Sequence, residues 1–458
     1  VDRQSPSALN GPIIHIARNQ PESGHVYFLF PHPQHGDVLL STGTLPIREA
    51  PYDLLKELAR GTINRLRNQL SIWREGGLEP PNGVEQGISQ AIQCLARAIM
   101  LEPTVEQDEV AMEAITHGVD AIYELSRHFG ATISRYRNQH PELPHFWVCA
   151  TIPNDPEVSA LVADSCDYLR VFDSNFNHGS PHDSNPANRN LTVYKNLPHP
   201  IILGPWLDAS QGGMSESLMA CRDHLDRRKA LLSDLRLRLE NLPEQIRLLH
   251  LMSGINGIGH RYLSYPQQFQ LATDMLQIVD EALLEVPVMV SFDFPWAERL
   301  AAAVGGIHPL HIADSLLRQG VRISYFGLEV NLDYWPSGSA IRDPFQWIDL
   351  VDTWAQLEVP LVILLRAPIG GQSVSPDQPV DRLVNQPRSH VTDAQRLEYL
   401  ETILPMLIAR PTVHGVIWSQ WRDDSDSRFP HGGLVDASGK LKSVGKILKN
   451  LRHSVSTE

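Results

Sequence analysis

The sequence predicts a (β/α)8 TIM barrel over its last two-thirds, preceded by a small β-rich element and a helical appendage. Three observations predict it. From His145 onward eight short apolar runs recur: Phe146–Ile152, Tyr168–Phe172, Pro200–Leu203, Ile246–Met252, Pro287–Phe292, Ile323–Asn331, Pro360–Leu365 and Val413–Trp418. Polar loops and amphipathic helices separate them, the pattern of parallel strands buried on both faces. At 458 residues the chain exceeds the roughly 250 that such a barrel takes, and eight units in succession favour closure over an open sheet.

In chain order, residues 1–50 form the β-rich element. Ile13–Ile16, Val26–Phe30 and Val38–Leu40 are apolar runs between Gly, Pro, His and Asn turns. They are expected as a small sandwich-like unit, or as part of one completed by other segments. At Pro51 the period becomes helical: Leu54, Leu58, Ile63, Leu66 and Leu70 form a stripe interleaved with Arg and Lys. Two further helices are expected near 86–101 and 105–138, separated by Leu101-Glu102-Pro103. Residues 51–142 carry no motif with chemistry and are read as an appendage packed on a barrel that occupies 143–458. The barrel helices bring their own punctuation. Asp343 precedes Pro344 as an N-cap before proline, Thr392 and Gln395 have capping-box spacing, and Gly320 stands where a C-terminal cap belongs. The polar loop 367–391 follows the seventh strand, at the face where barrels build their sites.

Composition excludes several classes of function. The net charge of −14, with both signs interspersed, lacks the basic stripe that a nucleic-acid partner requires. No apolar run reaches the roughly 18–20 residues that span a bilayer, and Val1 to Asn10 lack the pattern of a secretory signal. Cys94, Cys149, Cys166 and Cys221 show neither CxxC nor zinc spacing and are too few for a disulfide scaffold. They leave the compartment open. His178 and His182-Asp183 fit no metal spacing, and Gly254, Gly257 and Gly259 have the wrong order for a dinucleotide loop. No metal or cofactor is expected, and a neutral sugar or small molecule suits the surface.

The strand ends are rich in two side-chain types. Trp206, Trp296, Trp335, Trp418 and Trp421 lie at or just beyond them. Flat aromatic faces stack on sugar rings, although large aromatics also simply plug a barrel mouth. Trp347 and Trp354, seven apart on a helix, are read as core. The second type is acidic or amide: Asp173, Asn175, Asp208, Asn256, Asp293, Glu329 with Asn331, and Asp423 with Asp424. Glu329 sits amid apolar strand residues, where a carboxylate costs energy unless it is functional or paired with a neighbour such as Arg366.

Several of these segments resemble glycoside hydrolase family 10, the β-xylanase-type barrels. Gly415-Val416-Ile417-Trp418-Ser419-Gln420-Trp421-Arg422-Asp423, followed by Gly433-Leu434-Val435-Asp436, is similar to the family's eighth strand and next loop. Leu316 to Glu329 resembles the run into its sixth strand, Leu357 to Val362 the run into its seventh, and Pro198 to Trp206 its third. The resemblance spans roughly 145–450 and implies a polysaccharide-cleaving barrel with an acid/base glutamate on strand four and a nucleophile on strand seven. Those positions fall at about Gly254 and Leu365, and neither segment contains a carboxylate. Two expectations follow. One is hydrolysis of O-glycosyl bonds by a relocated pair, Glu329 with Asp293, Asp423 or Asp208. The other is a catalytically silent barrel that binds carbohydrate through Trp206, Asp208, Asn175, Asn256, Trp296, Asn331, Trp335, Arg366, Trp418 and Trp421. Oligomeric state is left open.

Overall fold

The structure is a computed structural model. It describes residues 7–10, 13–16, 22–140, 142–153, 162, 164–171, 199–208, 223–240, 242, 244–256, 264–282, 285–298, 307–335, 338–370, 386–387, 391–424 and 427–454. Two antiparallel hairpins open the chain, β1 (Ser7–Asn10) with β2 (Ile13–Ile16) and β3 (Tyr27–His32) with β4 (Gly36–Ser41). Helices α1 (Leu54–Glu75), α2 (Asn82–Met100) and α3 (Val105–Gln139) follow. The remaining strands are β5 (Trp147–Ile152), β6 (Tyr168–Val171), β7 (Ile201–Leu203), β8 (Leu207–Asp208), β9 (Ile246–Ser253), β10 (Val288–Asp293), β11 (Tyr325–Asn331), β12 (Tyr334–Trp335), β13 (Leu361–Arg366), β14 (Gln386–Pro387) and β15 (Val413–Trp418). Between and after them lie α4 (His224–Leu239), α5 (Tyr265–Glu281), α6 (Pro309–Arg318), α7 (Pro344–Ala355), α8 (Asp393–Ile408) and α9 (Ser443–His453).

Each of the eight expected runs supplies one barrel strand. β5, β6, β7, β9, β10, β11, β13 and β15 pair in that order, all parallel. The ring closes where Gly415 of β15 meets Trp147 of β5. Alternation along each strand sorts side chains onto two faces. Trp147, Cys149, Leu248, Met289, Leu364 and Ile417 form the cluster inside the barrel. Their sequence neighbours Val148, Ala150, Leu249, Val290, Ile363 and Val416 join the larger core shared with the helices. Two inward positions must be glycine. A Cβ on Gly415 would overlap the Trp147 ring, and one on Gly327 would lie 2.5 Å from the Ser291 Cβ and 2.8 Å from Leu364 Cδ1.

The expected helix punctuation is in place. Asp343 accepts from the amides of Phe345 and Gln346 at the start of α7. Thr392 and Gln395 exchange the two hydrogen bonds of a capping box on α8, and Gly320 takes φ 72° after α6. Trp347 and Trp354 are each 1% exposed, as core residues should be.

Among the described residues the N-terminal strands form two separate hairpins. A two-stranded hairpin cannot bury a face alone, so β3–β4 turns Phe30, Val38 and Leu40 into the same core as the barrel strands. The Leu39 amide donates to the Ile341 carbonyl, and Gln346 Nε2 donates to the Leu39 carbonyl, each at 2.7 Å. Leu66, Leu70 and Trp73 of α1 and Ile122 of α3 pack with Phe345, Ile348 and Met406 of α7 and α8. Among the described residues no helix is long and apolar enough to cross a membrane.

Candidate functional site at the barrel mouth

The inward rows change chemistry toward the C-terminal ends of the strands. On six of the eight strands the row becomes polar two residues further on: Cys149 leads to Thr151, Tyr168 to Arg170, Leu248 to His250, Met289 to Ser291, Gly327 to Glu329 and Leu364 to Arg366. Arg170 is 3% exposed, and His250 and Ser291 are fully buried. Polar groups at that depth require partners. Arg170 Nε donates to Thr151 Oγ1 at 2.8 Å and its Nη2 to the Ser419 carbonyl at 3.3 Å. Burial, which disfavours the charged form, pushes Arg170 down to about 10 and also lowers Arg366.

Glu329 is the centre of this layer. Its Oε1 accepts from Ser253 Oγ at 2.7 Å, from the Gly254 amide at 2.8 Å and from Ser291 Oγ at 2.5 Å. Gly254 adopts φ 59°, a left-handed conformation that glycine takes without strain. Glu329 and Arg366 attract each other electrostatically, but no hydrogen bond joins them among the described residues. Arg366 instead donates to Asn331 Oδ1 at 2.9 Å and to the Ser419 carbonyl at 3.4 Å. Asp293 is the in-register partner of Glu329 on the neighbouring strand. Its carboxylate accepts from the Phe294 amide at 3.1 Å and from Asn331 Nδ2 at 3.4 Å, with Arg428 4.0 Å away. Asn256 lies across the Asp293 backbone, donating to its carbonyl at 2.6 Å and accepting from its amide at 2.8 Å.

Of the residues expected at the site, Glu329, Asp293, Asn331, Arg366 and Asn256 are thus brought together. Asp208 lies in register with Ser253 and interacts electrostatically with Arg170 and Arg366. Asp423 does not join them. Lys442 Nζ reaches both its oxygens at 2.8 and 2.9 Å, and the Gly433 amide adds 2.8 Å, a buried ion pair that pins the loop after β15.

The five tryptophans do not share one face. Trp418 follows inward-facing Ile417 and therefore points outward. It is 1% exposed in the helix-side core, and its Nε1 donates to the Gly432 carbonyl. Leu365 lies on the same outward row, and the inward residue beside it is Arg366. Trp206 is 5% exposed, with the Arg238 guanidinium of α4 over its ring. Trp296 packs edge-on against Trp347 and under Arg342, and Trp421 packs against the same core. Trp335, 54% exposed on β12, is the most open of the five, while Trp296 and Trp421 are partly exposed. Asn175, with Asp173, His178, His182 and Asp183, lies outside the described residues.

Sequence reasoning missed Arg170, His250, Ser253 and Ser291. The signal was available: a charged or imidazole side chain inside Tyr168-Leu169-Arg170-Val171 or Leu249-His250-Leu251 is as costly as Glu329 in its own strand.

Away from the mouth, His32, His35 and Asp120 converge within 4.8 Å. His32 Nδ1 accepts from the amides of Gln34 and His35, each at 3.2 Å. Its proton therefore sits on Nε2, 3.4 Å from the Thr116 carbonyl and 3.5 Å from Asp120. A metal-ligating imidazole ordinarily donates from its second nitrogen, so this ring is placed as a hydrogen-bond donor between hairpin and α3.

No family model and no curated protein matches the chain. Solved structures do. Xylanase 10B from Thermotoga petrophila RKU-1, in complex with xylobiose, is 11% identical with a TM-score of 0.50, covering 71% of this chain and 97% of its own. Native xylanase 10B from Thermotoga maritima gives the same identity, TM-score and share of this chain, with 98% of its own covered. At that identity the likeness is one of architecture: the chain has the closed (β/α)8 fold of these xylanases, as the strand-end resemblance led one to expect.

Proposed function

We propose that the chain is a carbohydrate-binding barrel that holds a glycan at its C-terminal face, with Glu329 as the central acceptor. The observation that carries this is the asymmetry of the Glu329 carboxylate. Oε1 is saturated by three donors, while Oε2 has no hydrogen-bond partner among the described residues. A half-buried carboxylate with one open oxygen, beside Asn331 and Asp293 and on the same barrel mouth as the exposed Trp335 that follows β11, suits a ligand that offers hydroxyls and an apolar ring face. The xylobiose complex of the T. petrophila xylanase supports a sugar as the ligand class.

Binding without cleavage is preferred because retaining hydrolysis needs two carboxyl groups about 5 Å apart on either side of the scissile bond. β9 and β13 carry none. A second reading, turnover by Glu329 with Asp293, is favoured by their pairing on adjacent strands, which lie about 4.8 Å apart in any sheet. Calorimetry against xylo-oligosaccharides and a panel of other plant and algal glycans tests both. Binding should be seen in the wild type and should weaken at least about tenfold in Glu329→Gln, the scale of one hydrogen bond to a charged group. No binding to any glycan would overturn the proposal. Release of reducing ends that Glu329→Gln abolishes would establish the second reading instead.

A further inference from the structure

We infer that His250 and Ser291 are positioning residues, which hold Glu329 through a one-way chain of hydrogen bonds and so fix the oxygen it offers to a ligand. The inference rests on the glycan-binding reading of the mouth and adds the residues that aim its central group. The chain starts at Arg170, whose Nη1 lies 3.5 Å from His250 Nδ1. A guanidinium only donates, so Nδ1 accepts and the single proton of a neutral imidazole sits on Nε2. Nε2 lies 2.8 Å from Ser291 Oγ. With that oxygen receiving the imidazole proton, its own hydrogen is directed to Glu329 Oε1, 2.5 Å away. The Met252 carbonyl, at 3.5 Å, is a distant competitor for it.

Three features favour this direction, with the Met252 carbonyl also within reach of the imidazole proton. Arg170 is itself anchored by Thr151 and Ser419 and cannot turn away. Burial, reinforced by the Arg170 charge, depresses the His250 pKa well below its ordinary value, which keeps the ring neutral. Ser253 and the Gly254 amide occupy the remaining approaches to Oε1. The carboxylate cannot rotate without breaking three hydrogen bonds. Oε2 is therefore the oxygen presented, and a ligand must donate to it.

Two measurements on the full chain test this. Nitrogen-15 NMR of the imidazoles, with His250 identified by its loss in His250→Gln, should show a bare Nδ1 and a protonated Nε2 between pH 6 and 8. A proton on Nδ1, or an imidazolium at pH 7, would overturn the chain. Binding of xylo-oligosaccharides should then weaken about tenfold in Ser291→Ala and in His250→Leu. His250→Gln, whose amide N–H can replace Nε2–H, should recover most of that affinity. Equal losses in His250→Gln and His250→Leu would mark a merely structural role, and wild-type affinity in Ser291→Ala would remove Ser291 from the chain. If the wild type binds no glycan, the functional reading falls, and the tautomer of His250 alone decides whether the chain exists.

Discussion

The lower and upper halves of the barrel interior are built by the same strands and the same alternation, yet they obey different physics. Below, Trp147, Cys149, Leu248, Met289, Leu364 and Ile417 meet in an apolar cluster. Two residues further on, about 6.6 Å along each strand, Thr151, Arg170, His250, Ser291 and Arg366 occupy the same rows. The lower layer is held by non-directional burial, which accepts many residues of suitable volume. The upper layer is held donor by donor, and each partner lost leaves a buried polar group unsatisfied. A fold can therefore persist on the lower layer while the upper one is rewritten. The closed barrel shared with a xylanase at 11% identity is consistent with that division.

The comparison breaks most visibly at Trp147. Its ring lies across the space that a Gly415 side chain would need, inside the closed end of the barrel, and it is 7% exposed. Trp147→Ala should cost about 3–5 kcal/mol, as truncations of buried aromatics do. Denaturant unfolding followed by tryptophan fluorescence and circular dichroism would measure it, while glycan affinity of the folded fraction stays at the wild-type value. A cost below about 1 kcal/mol would mean that the Trp147 ring does not hold the lower layer together.

The sequence made the lower half legible and left the upper half partly hidden. Apolar runs announce strands because burial on both faces demands them, so all eight were found. The site demanded knowledge of which strand neighbours face inward together. Glu329 was found because a carboxylate in Gly327-Leu328-Glu329-Val330 contradicts its surroundings. Arg170 and His250 contradict theirs as clearly, but each can snorkel or stay neutral, which makes the conflict quieter in one dimension. Trp418 was misleading for the opposite reason. Being at a strand end says nothing about face, and its odd–even position relative to Ile417 turns it into the helix-side core.

A medium effect should distinguish the layers by pH. An unfolded histidine titrates near 6.5, whereas His250 is depressed by burial and by Arg170. Above about pH 6.5 both states are neutral there and His250 contributes no slope. As pH falls below that value, the unfolded chain takes up a proton that the folded one refuses. Stability then declines by up to about 1.4 kcal/mol per pH unit until the folded pKa is reached. His250→Gln removes this slope while His32 and His414, also lowered by burial, titrate in both proteins. Wild-type stability should therefore fall relative to His250→Gln between pH 6.5 and 5 in parallel denaturations. Parallel curves would show that His250 titrates in the fold as it does in the unfolded chain.

The smallest effect on stability belongs to the rim. Trp335 is 54% exposed, and its strand β12 meets β14 through backbone pairing that a side-chain truncation leaves intact. Trp335→Ala should therefore change unfolding free energy by less than about 0.5 kcal/mol, as surface substitutions do. Its glycan affinity should nevertheless fall about three- to tenfold, the worth of one aromatic stacking contact of about 0.5–1.5 kcal/mol. This is the reverse of Trp147→Ala, which removes the same side chain at a large stability cost with no loss of affinity. Two tryptophans in one barrel would then separate the two layers: one measured by denaturant alone, the other by ligand alone. Loss of stability in Trp335→Ala would show that the ring packs into the rim, and unchanged affinity would place the sugar elsewhere on the mouth.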